Sequence, residues 1–387
     1  MLHQGVQLSI LAGPMIPVPV PSFVVDSLIS AKVQINSAKY DVTKGEMTFP
    51  PTGIELEFNL GKKSPLETIF LLKGSTPPFV RIVLVVTING RPEPIFDGFI
   101  LNNKVTPGNG SNPSKLTLKG EDISSFMNFI DFSGFPFPGS PITLRVLALI
   151  GKYAGLGLVP ITVPPLQEEI ADPTDQVKQQ KGSDLAFLQQ LAREAGYVFY
   201  IEPGPAPGIN KAYWGPEIKI GKPQPALNLD MDAMTNVESM SFEVDNDKAT
   251  TPVIWIRPAA SPIPIPVPIP NISLLNPPLG LVPPMSLKEQ KIEDVARLSF
   301  AEAFIKGLSK KANSAEAVTA QGSLNVIRYG RLLKARQLVG VRGAGMAFDG
   351  LYYVRSVGHE IKRGEYTQSF ELSRNGLVST VPRVPTS

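Results

Sequence analysis

The 387-residue sequence contains no cysteine and only two histidines, His3 and His359. Absence of cysteine rules out a disulfide scaffold and thiolate zinc sites, and it is compatible with folding in a reducing cytoplasm. Two histidines so far apart cannot form a histidine-pair metal motif, so no metal and no cofactor is expected. Charge is also scarce: 18% of residues are Asp, Glu, Lys or Arg, below the roughly 25% of average globular chains. That deficit suggests a surface largely covered in an assembly. The net charge of +3 is spread along the chain, without the clustered basic stripe that phosphate backbones select, so no specific nucleic-acid partner is expected. The apolar stretch from Leu8 to Val25 carries Pro14, Pro17, Pro19 and Pro21 and has no basic residue before it, which argues against a signal peptide and against direct membrane insertion.

What the chain has in excess is proline, 39 residues, about twice the usual ~5% share. Ten of the 27 residues from Pro258 to Pro284 are proline and none is charged, with strict alternation through Pro262, Pro264, Pro266, Pro268 and Pro270. Such a stretch should be extended and semi-rigid, either a spacer or an apolar strap on a neighbouring subunit.

Elsewhere the pattern reads as strands, then helices, then strands. From about Ala31 to Ser125 the segments IELEFNL, VRIVLVVTING, EPIFDGFILNNKV and SKLTLKGED predict a β-domain, with a hairpin at Asn89-Gly90 and a polar loop at Asn109-Gly110. A helix is expected after Ser140 and Pro141, with Leu144, Leu147 and Ile150 at helical spacing and Gly155 as its stop. A second is capped by Ser183, presents Leu185, Leu188, Leu191, Ala192 and Ala195 on one face, ends at Gly196 and runs into the strand YVFYIE. Beyond it, EIKIG, SMSFEVD, GSLNVIRYG, RQLVGVRG, GLYYVRSVGHEIKRG and YTQSFELSRNG read as strands, interrupted by a helix from about Ile292 to Leu308. The layout is α+β and mainly β.

Catalytic constellations are hard to write. His359 lies on an alternating strand with no nucleophile motif nearby, which fits a structural histidine bonded to a backbone carbonyl. The GKKS at Gly61–Ser64 has Leu56 where a phosphate loop needs glycine, and Gly340, Gly343 and Gly345 miss dinucleotide spacing. The adjacent acids Asp230 and Asp232, or Glu168 and Glu169, suit solvated turns better than a glycosidase pair, whose acids usually come from different elements. Asp97, in IFDGF, reads as a bend-forming aspartate beside a permissive Gly98. No catalytic, cofactor-binding or metal-binding residue is assigned.

The stretch KGSDLAFLQQLAREAGYVFYIE, Lys181–Glu202, resembles the signature of phage late control protein D and of the hub part of type VI secretion VgrG spikes. The matching residues are Ser183, Asp184, Phe187, Leu188, Leu191, Ala192, Gly196 and Tyr197. Two further blocks, FDGFILNNKV through LTLKGEDISSFM and GLYYVRSVGHEIKRGEYTQSFELSRNG, fit in the same order through Gly98, Gly120, Asp122, Gly350, Tyr352, Val354, His359, Tyr366, Thr367 and Arg374. The resemblance implies two tube-protein-like β-barrel domains with a small helical or mixed insertion between them. The boundaries would be 1–135 for the first barrel, 136–200 for the insertion, 201–257 for the start of the second barrel, 258–284 for the proline-rich stretch and 285–387 for its remainder. It further implies a homotrimer that joins a hexameric inner tube to a trimeric spike within a baseplate, assembled in the cytoplasm and then carried in a phage-like particle or injection system. VgrG proteins continue into an OB-like domain and a β-helical spike, whereas this sequence stops at Ser387, so the spike is expected to be a separate protein. The alternatives are a tail-tip peptidoglycan hydrolase or a glycan-binding tail adaptor, the latter testable by sugar binding to residues 136–200.

Overall fold

A computed structural model describes residues 5–41, 46–61, 66, 70, 80–109, 113–137, 139–165, 178–245, 250–256, 265–268, 275–282, 288–291, 316 and 318–381. His3, Glu168, Glu169, the helix expected from Ile292 to Leu308, and residues 62–64 of the GKKS segment lie outside them.

The main strands are β1 (Val6–Gly13), β2 (Leu28–Asn36), β3 (Gly53–Leu60), β4 (Arg81–Ile88), β5 (Arg91–Thr106) and β6 (Ser114–Asp122). A mixed block follows: α1 (Ile142–Gly151), β7 (Leu158–Thr162), α2 (Asp184–Ala195), β8 (Val198–Pro203) and β9 (Asn210–Gly215). The chain then returns to β10 (Gln224–Asn228), β11 (Val237–Val244), β12 (Val318–Asn325), β13 (Leu338–Arg342), β14 (Gly350–Lys362) and β15 (Glu365–Arg374). The protein is thus mainly β, as the alternating segments predict.

Alternation accounts for the strands. In β3, Ile54, Leu56, Phe58 and Leu60 are buried, while Glu55 and Glu57 face outward and reach Lys119 and Lys115 at 2.8 Å each. The apolar, β-branched β4 is buried on nearly every residue. Asn89 and Gly90 both have positive φ, 50° and 78°, between paired Ile88 and Arg91. That is the two-residue hairpin geometry the dipeptide favours.

Among the described residues the two barrels expected from the resemblance are not closed units. One continuous sheet of thirteen strands runs β11-β12-β15-β14-β2-β3-β6-β5-β4-β1 and on to the short strand Val18–Pro19, with β13 and β10 branching from β14. The β2–β14 ladder, Ser30↔Lys362 through Asn36↔Ser356, stitches the two β-blocks together by backbone hydrogen bonds. One apolar cluster extends across both blocks, from Val6 to Leu372.

Within this sheet the same motif occurs twice. In chain order β2, β3, β4, β5, β6 form the spatial order β2-β3-β6-β5-β4, and β11, β12, β13, β14, β15 form β11-β12-β15-β14-β13. The irregularities coincide as well. The β2–β3 ladder shifts between Leu28 and Ser30, the β11–β12 ladder between Val237 and Ser239. The β5–β6 ladder shifts between Ile100 and Asn102, the β14–β15 ladder between Val354 and Ser356. Phe58, opposite Leu28 and Leu116, therefore corresponds to Leu324, opposite Val237 and Gln368.

Several expected elements differ. The α1 helix buries Val146, Leu149 and Ile150 rather than a Leu144 face, since Leu144 is exposed; its N-cap position is Pro141, without a side-chain cap, and it ends at Gly151, before Gly155. The EIKIG segment is not a strand, because Glu217 and Lys219 are drawn into a buried charge cluster. Within GSLNVIRYG, residues Val326–Tyr329 form a helical turn: Asn325 accepts from the Ile327 and Arg328 amides, and Gly330 closes it at φ 79°. Val6–Gly13, not predicted as a strand, pairs along its whole length with β4. In the proline-rich stretch Ile265–Pro268 is an edge strand against Thr250–Ile256. Gly280–Val282 pairs with Leu377–Ser379, so this part straps the chain to itself. Asn109 is described and Gly110 is not. Among the described residues no helix is long and apolar enough to cross a membrane.

Candidate functional site

The polar chemistry of the molecule is concentrated where the three blocks meet. The signature helix α2 is positioned by its ends: Ser183 accepts from the Ala186 amide and donates to Asn128 Oδ1 at 2.7 Å, and Gly196 takes φ 67°. Phe187, Leu188, Leu191 and Ala192 enter the core of the mixed block around Trp214. Asp184, fully buried, accepts from Lys152 Nζ at 3.0 and 3.1 Å, Tyr153 Oη at 2.8 Å and Gln180 Nε2 at 2.7 Å. Burial, and then this carboxylate, push the Tyr153 hydroxyl well above the ordinary tyrosine range. The matched acidic residue is therefore an anchor for α1, α2 and the chain before α2.

Asp97 is not a bend residue. It is buried in β5, where Arg81 binds it through Nε at 2.7 Å and Nη2 at 2.8 Å, and Asn210 Nδ2 donates to it at 2.8 Å. Arg81 also donates to the carbonyls of Met15 at 3.1 Å and Gly208 at 3.2 Å. This bidentate pair ties the first sheet block to β9. Gly98 is there for close approach: a Cβ on it would lie 2.1 Å from the Glu121 carbonyl oxygen, and one on Gly120 would lie 2.3 Å from that of Phe99. Asp122 accepts from the amides of Thr52 at 2.6 Å and Ser124 at 2.9 Å; its burial raises the carboxyl against those bonds.

A four-charge cluster closes the second junction. Lys219 Nζ bonds Glu217 at 3.1 Å and also Glu316; Arg355 bonds Glu217 through Nη1 at 2.6 Å and Glu316 through Nε at 2.6 Å, and donates to the Ala38 carbonyl at 3.1 Å. Burial alone would raise Glu316, but Arg355 and Lys219 hold its carboxyl down at about 2. The cluster is neutral, and it holds the strand β14, the segment after β9 and the end of β2 together.

His359 is buried and structural, but its Nδ1 partner is the Tyr366 hydroxyl at 2.7 Å rather than a backbone carbonyl. Burial lowers the imidazole to about 4. Thr367 pairs with Glu360 and Asn325 in the ladders; Val354 and Tyr352 are core. Arg374 donates to the carbonyls of Asp349 and Ala347 and lies 4.6 Å over the Tyr352 ring, beside Gly350. Asp230 and Asp232 are exposed turn residues with φ of 41° and 49°. A cavity of about 420 Å³ opens at the junction of all three blocks, with Glu93, Glu202, Lys211, Lys334 and Arg336 among its walls. The cation–anion contacts in its wall, Lys334–Glu93 at 2.8 Å and Arg336–Glu202 at 3.9 Å, brace one block against another.

The resemblance found Asp122, Asp184, His359 and Arg374, but missed Arg81, Asn210, Glu217, Lys219, Glu316 and Arg355. The arrangement's chemistry is that of struts: the buried acids just described are met by cations or amide donors.

No protein-family model matches the chain, and no curated protein matches it. In structure it is similar to the tail protein from Neisseria meningitidis MC58, with TM-score 0.61 and 13% identity over 97% of this chain and 98% of that one. It is similar to the 43 kDa tail protein of prophage MuSo2 from Shewanella oneidensis, with TM-score 0.61 and 12% identity over 96% and 98%. The half-lidded Francisella PdpA-VgrG complex contains a chain matched at TM-score 0.59 and 10% identity, over 99% of this chain and 60% of that one. The overall fold of this chain is thus shared with two tail proteins, one of them from a prophage, and with a chain of a VgrG complex.

Proposed function

We propose that this chain is a non-enzymatic structural hub of a contractile tail or injection machine, a homotrimer that adapts a hexameric inner tube to a trimeric spike. The observation that carries the reading is the two-way match to tail proteins, which covers nearly the whole of both chains. The duplicated five-strand motif supports it. Three copies of a chain with two sheet blocks of one strand order supply six such units to a tube and only three of everything else. On this reading the strands of residues 1–135 and β10–β15 are the two tube-facing units, and 136–200 together with the rest of β8 and with β9 is the insertion between them. Tube, spike and other baseplate proteins are the partners, and the particle is assembled in the cytoplasm before use. Buried charges serve as joints between units rather than as acid–base groups.

The test is the mass of the purified protein by light scattering, alone and mixed with tube and spike proteins encoded beside it. A species near three times 41.8 kDa that binds both supports the hub. A monomer that binds neither and cleaves peptidoglycan sinks it in favour of an enzyme.

A further inference from the structure

The repeat within the sheet exposes an unmatched pair of strand edges. In the second block β14 has two partners along one edge: β13 against Gly350–Tyr353 and β2 against Ser356–Lys362. Its counterpart β5 has β4 against Arg91–Phe99, but among the described residues nothing pairs with the same edge of its second half, Asn102–Thr106. The counterpart of β2 is β11, which among the described residues ends the sheet with β12 as its single partner there. Among the described residues one seam is filled within the chain, and the two halves of an equivalent seam stand open at opposite ends of it.

Burial records the same difference. At the filled seam Val357, His359 and Ile361 from β14 and Ala31 and Val33 from β2 are buried. Their counterparts, set by the shared bulges, are Asn103, Val105 and Pro107, and Met240 and Phe242. Val105 is 39% exposed, Pro107 is exposed, and Asn103, Met240 and Phe242 are half-buried. Met240 and Phe242 lean on the sheet core, as Ala31 and Val33 do.

We propose that β11 of one copy of this chain adds, antiparallel, to the free half of β5 in the next copy. The filled seam sets the register. Ser356↔Asn36, Gly358↔Gln34 and His359↔Val33 become Asn102 opposite Asp245, Lys104 opposite Glu243 and Val105 opposite Phe242 of the next copy. The side chains suit one another: a cation meets an anion, and the exposed Val105 and the half-buried Phe242 cover each other on the core face. The main chain supplies the affinity and the alternation supplies the register, as a one-residue slip would turn Phe242 away from the core. The contact is head-to-tail, so copies of it close into a ring or extend as a filament. The contact itself rests on the strand registers; only closure after three copies rests on the hub reading.

The chain lacks cysteine, which makes the register measurable. In a Val105→Cys/Phe242→Cys variant the two thiols of neighbouring copies would face each other across the ladder, at roughly 4.5–5.5 Å between Cα atoms, within disulfide reach. Within one chain they are seven strand spacings apart along the sheet. Oxidation should give covalent oligomers that stop at three chains, absent from either single-cysteine variant. Independently, Lys104→Glu and Glu243→Lys, both at exposed positions, should each weaken association roughly twofold to fivefold per contact, and the double reversal should restore it. Trimers that form without the cross-link and ignore both reversals overturn the contact and leave the hub intact. Cross-linked chains of unlimited length keep the contact and remove the trimeric hub. A chain that stays monomeric with and without tube and spike proteins overturns both.

Discussion

Asp97 shows how much a single side chain can hide. Its Asp-Gly dipeptide reads as a bend, yet the pair Arg81–Asp97 is among the most buried charge pairs in the molecule, at 3% and 1% side-chain exposure. Breaking a buried pair strands a charge, which typically costs about 3–5 kcal/mol. Asp97→Ala should therefore lower unfolding stability in urea by about that amount, whereas Arg81→Leu/Asp97→Leu should recover part of the loss because no lone charge remains. An exposed bend aspartate would show neither effect. His359 gives a pH signature. Its folded-state value of about 4 lies below the 6.5 of an exposed imidazole, so between these the unfolded chain binds the extra proton and unfolding gains. Stability from this group is complete above pH 6.5 and declines as pH falls toward 4, by about 2–3 kcal/mol at pH 4.5. Glu316, held down by its two cations, adds a further loss below pH 4.5. Urea unfolding at pH 7 and 4.5 should show the first decline in the native protein and a smaller one in His359→Gln. Equal declines would mean that His359 is protonated in the folded state.

Elements were legible where propensity, capping and burial agree. The α2 helix is such a case, since Ser183, the Leu188–Leu191–Ala192 face and Gly196 each point to the same boundaries. The α1 helix was shifted because Leu144 and Leu147 share its spacing with Val146 and Leu149, and only the neighbouring β7 and α2 decide which face is covered. The EIKIG segment alternates like a strand but gives Glu217 and Lys219 to the charge cluster, a tertiary demand with no local trace. Close strand crossings were also hidden. At Gly98 the obstacle to a side chain is backbone, the Glu121 carbonyl, and not a movable side chain. Gly98→Ala should then force the ladder apart and cost about 1–3 kcal/mol, on the scale of core overpacking. Gly53→Ala, where nothing lies within 4 Å of the added carbon, should be neutral or slightly stabilising. The two midpoints in one denaturant series decide this, and equal shifts would show that β5 and β6 can separate freely.

At the scale of the molecule, the repeat is carried by ladders and bulges and not by side chains. Gly120 in the first block corresponds to Leu372 in the second, and Lys32 to Ser241, while each pair keeps its ladder position. Backbone hydrogen bonding tolerates such changes as long as each strand keeps its buried face, so a comparison of residues along the sequence has little to detect. The struts are equally non-local: Arg355 reaches Glu217 and Glu316 from 138 and 39 residues away. The two blocks nevertheless differ in one respect that can be imaged. The first meets the mixed block through Arg81, Asp97 and Asn210 and the second through Arg336–Glu202 and Arg355–Glu217, whereas both contribute the same five-strand unit. If three chains form a ring, density at the radius of the sheet should have near-six-fold rotational power, and density at the radius of α1 and α2 should be three-fold. Averages of end-on particles by electron microscopy, with no symmetry imposed, would measure both. Three-fold power at every radius would mean that the two sheet blocks sit differently around the axis, and the repeat would then be a relic of duplication rather than the device that matches a six-fold tube.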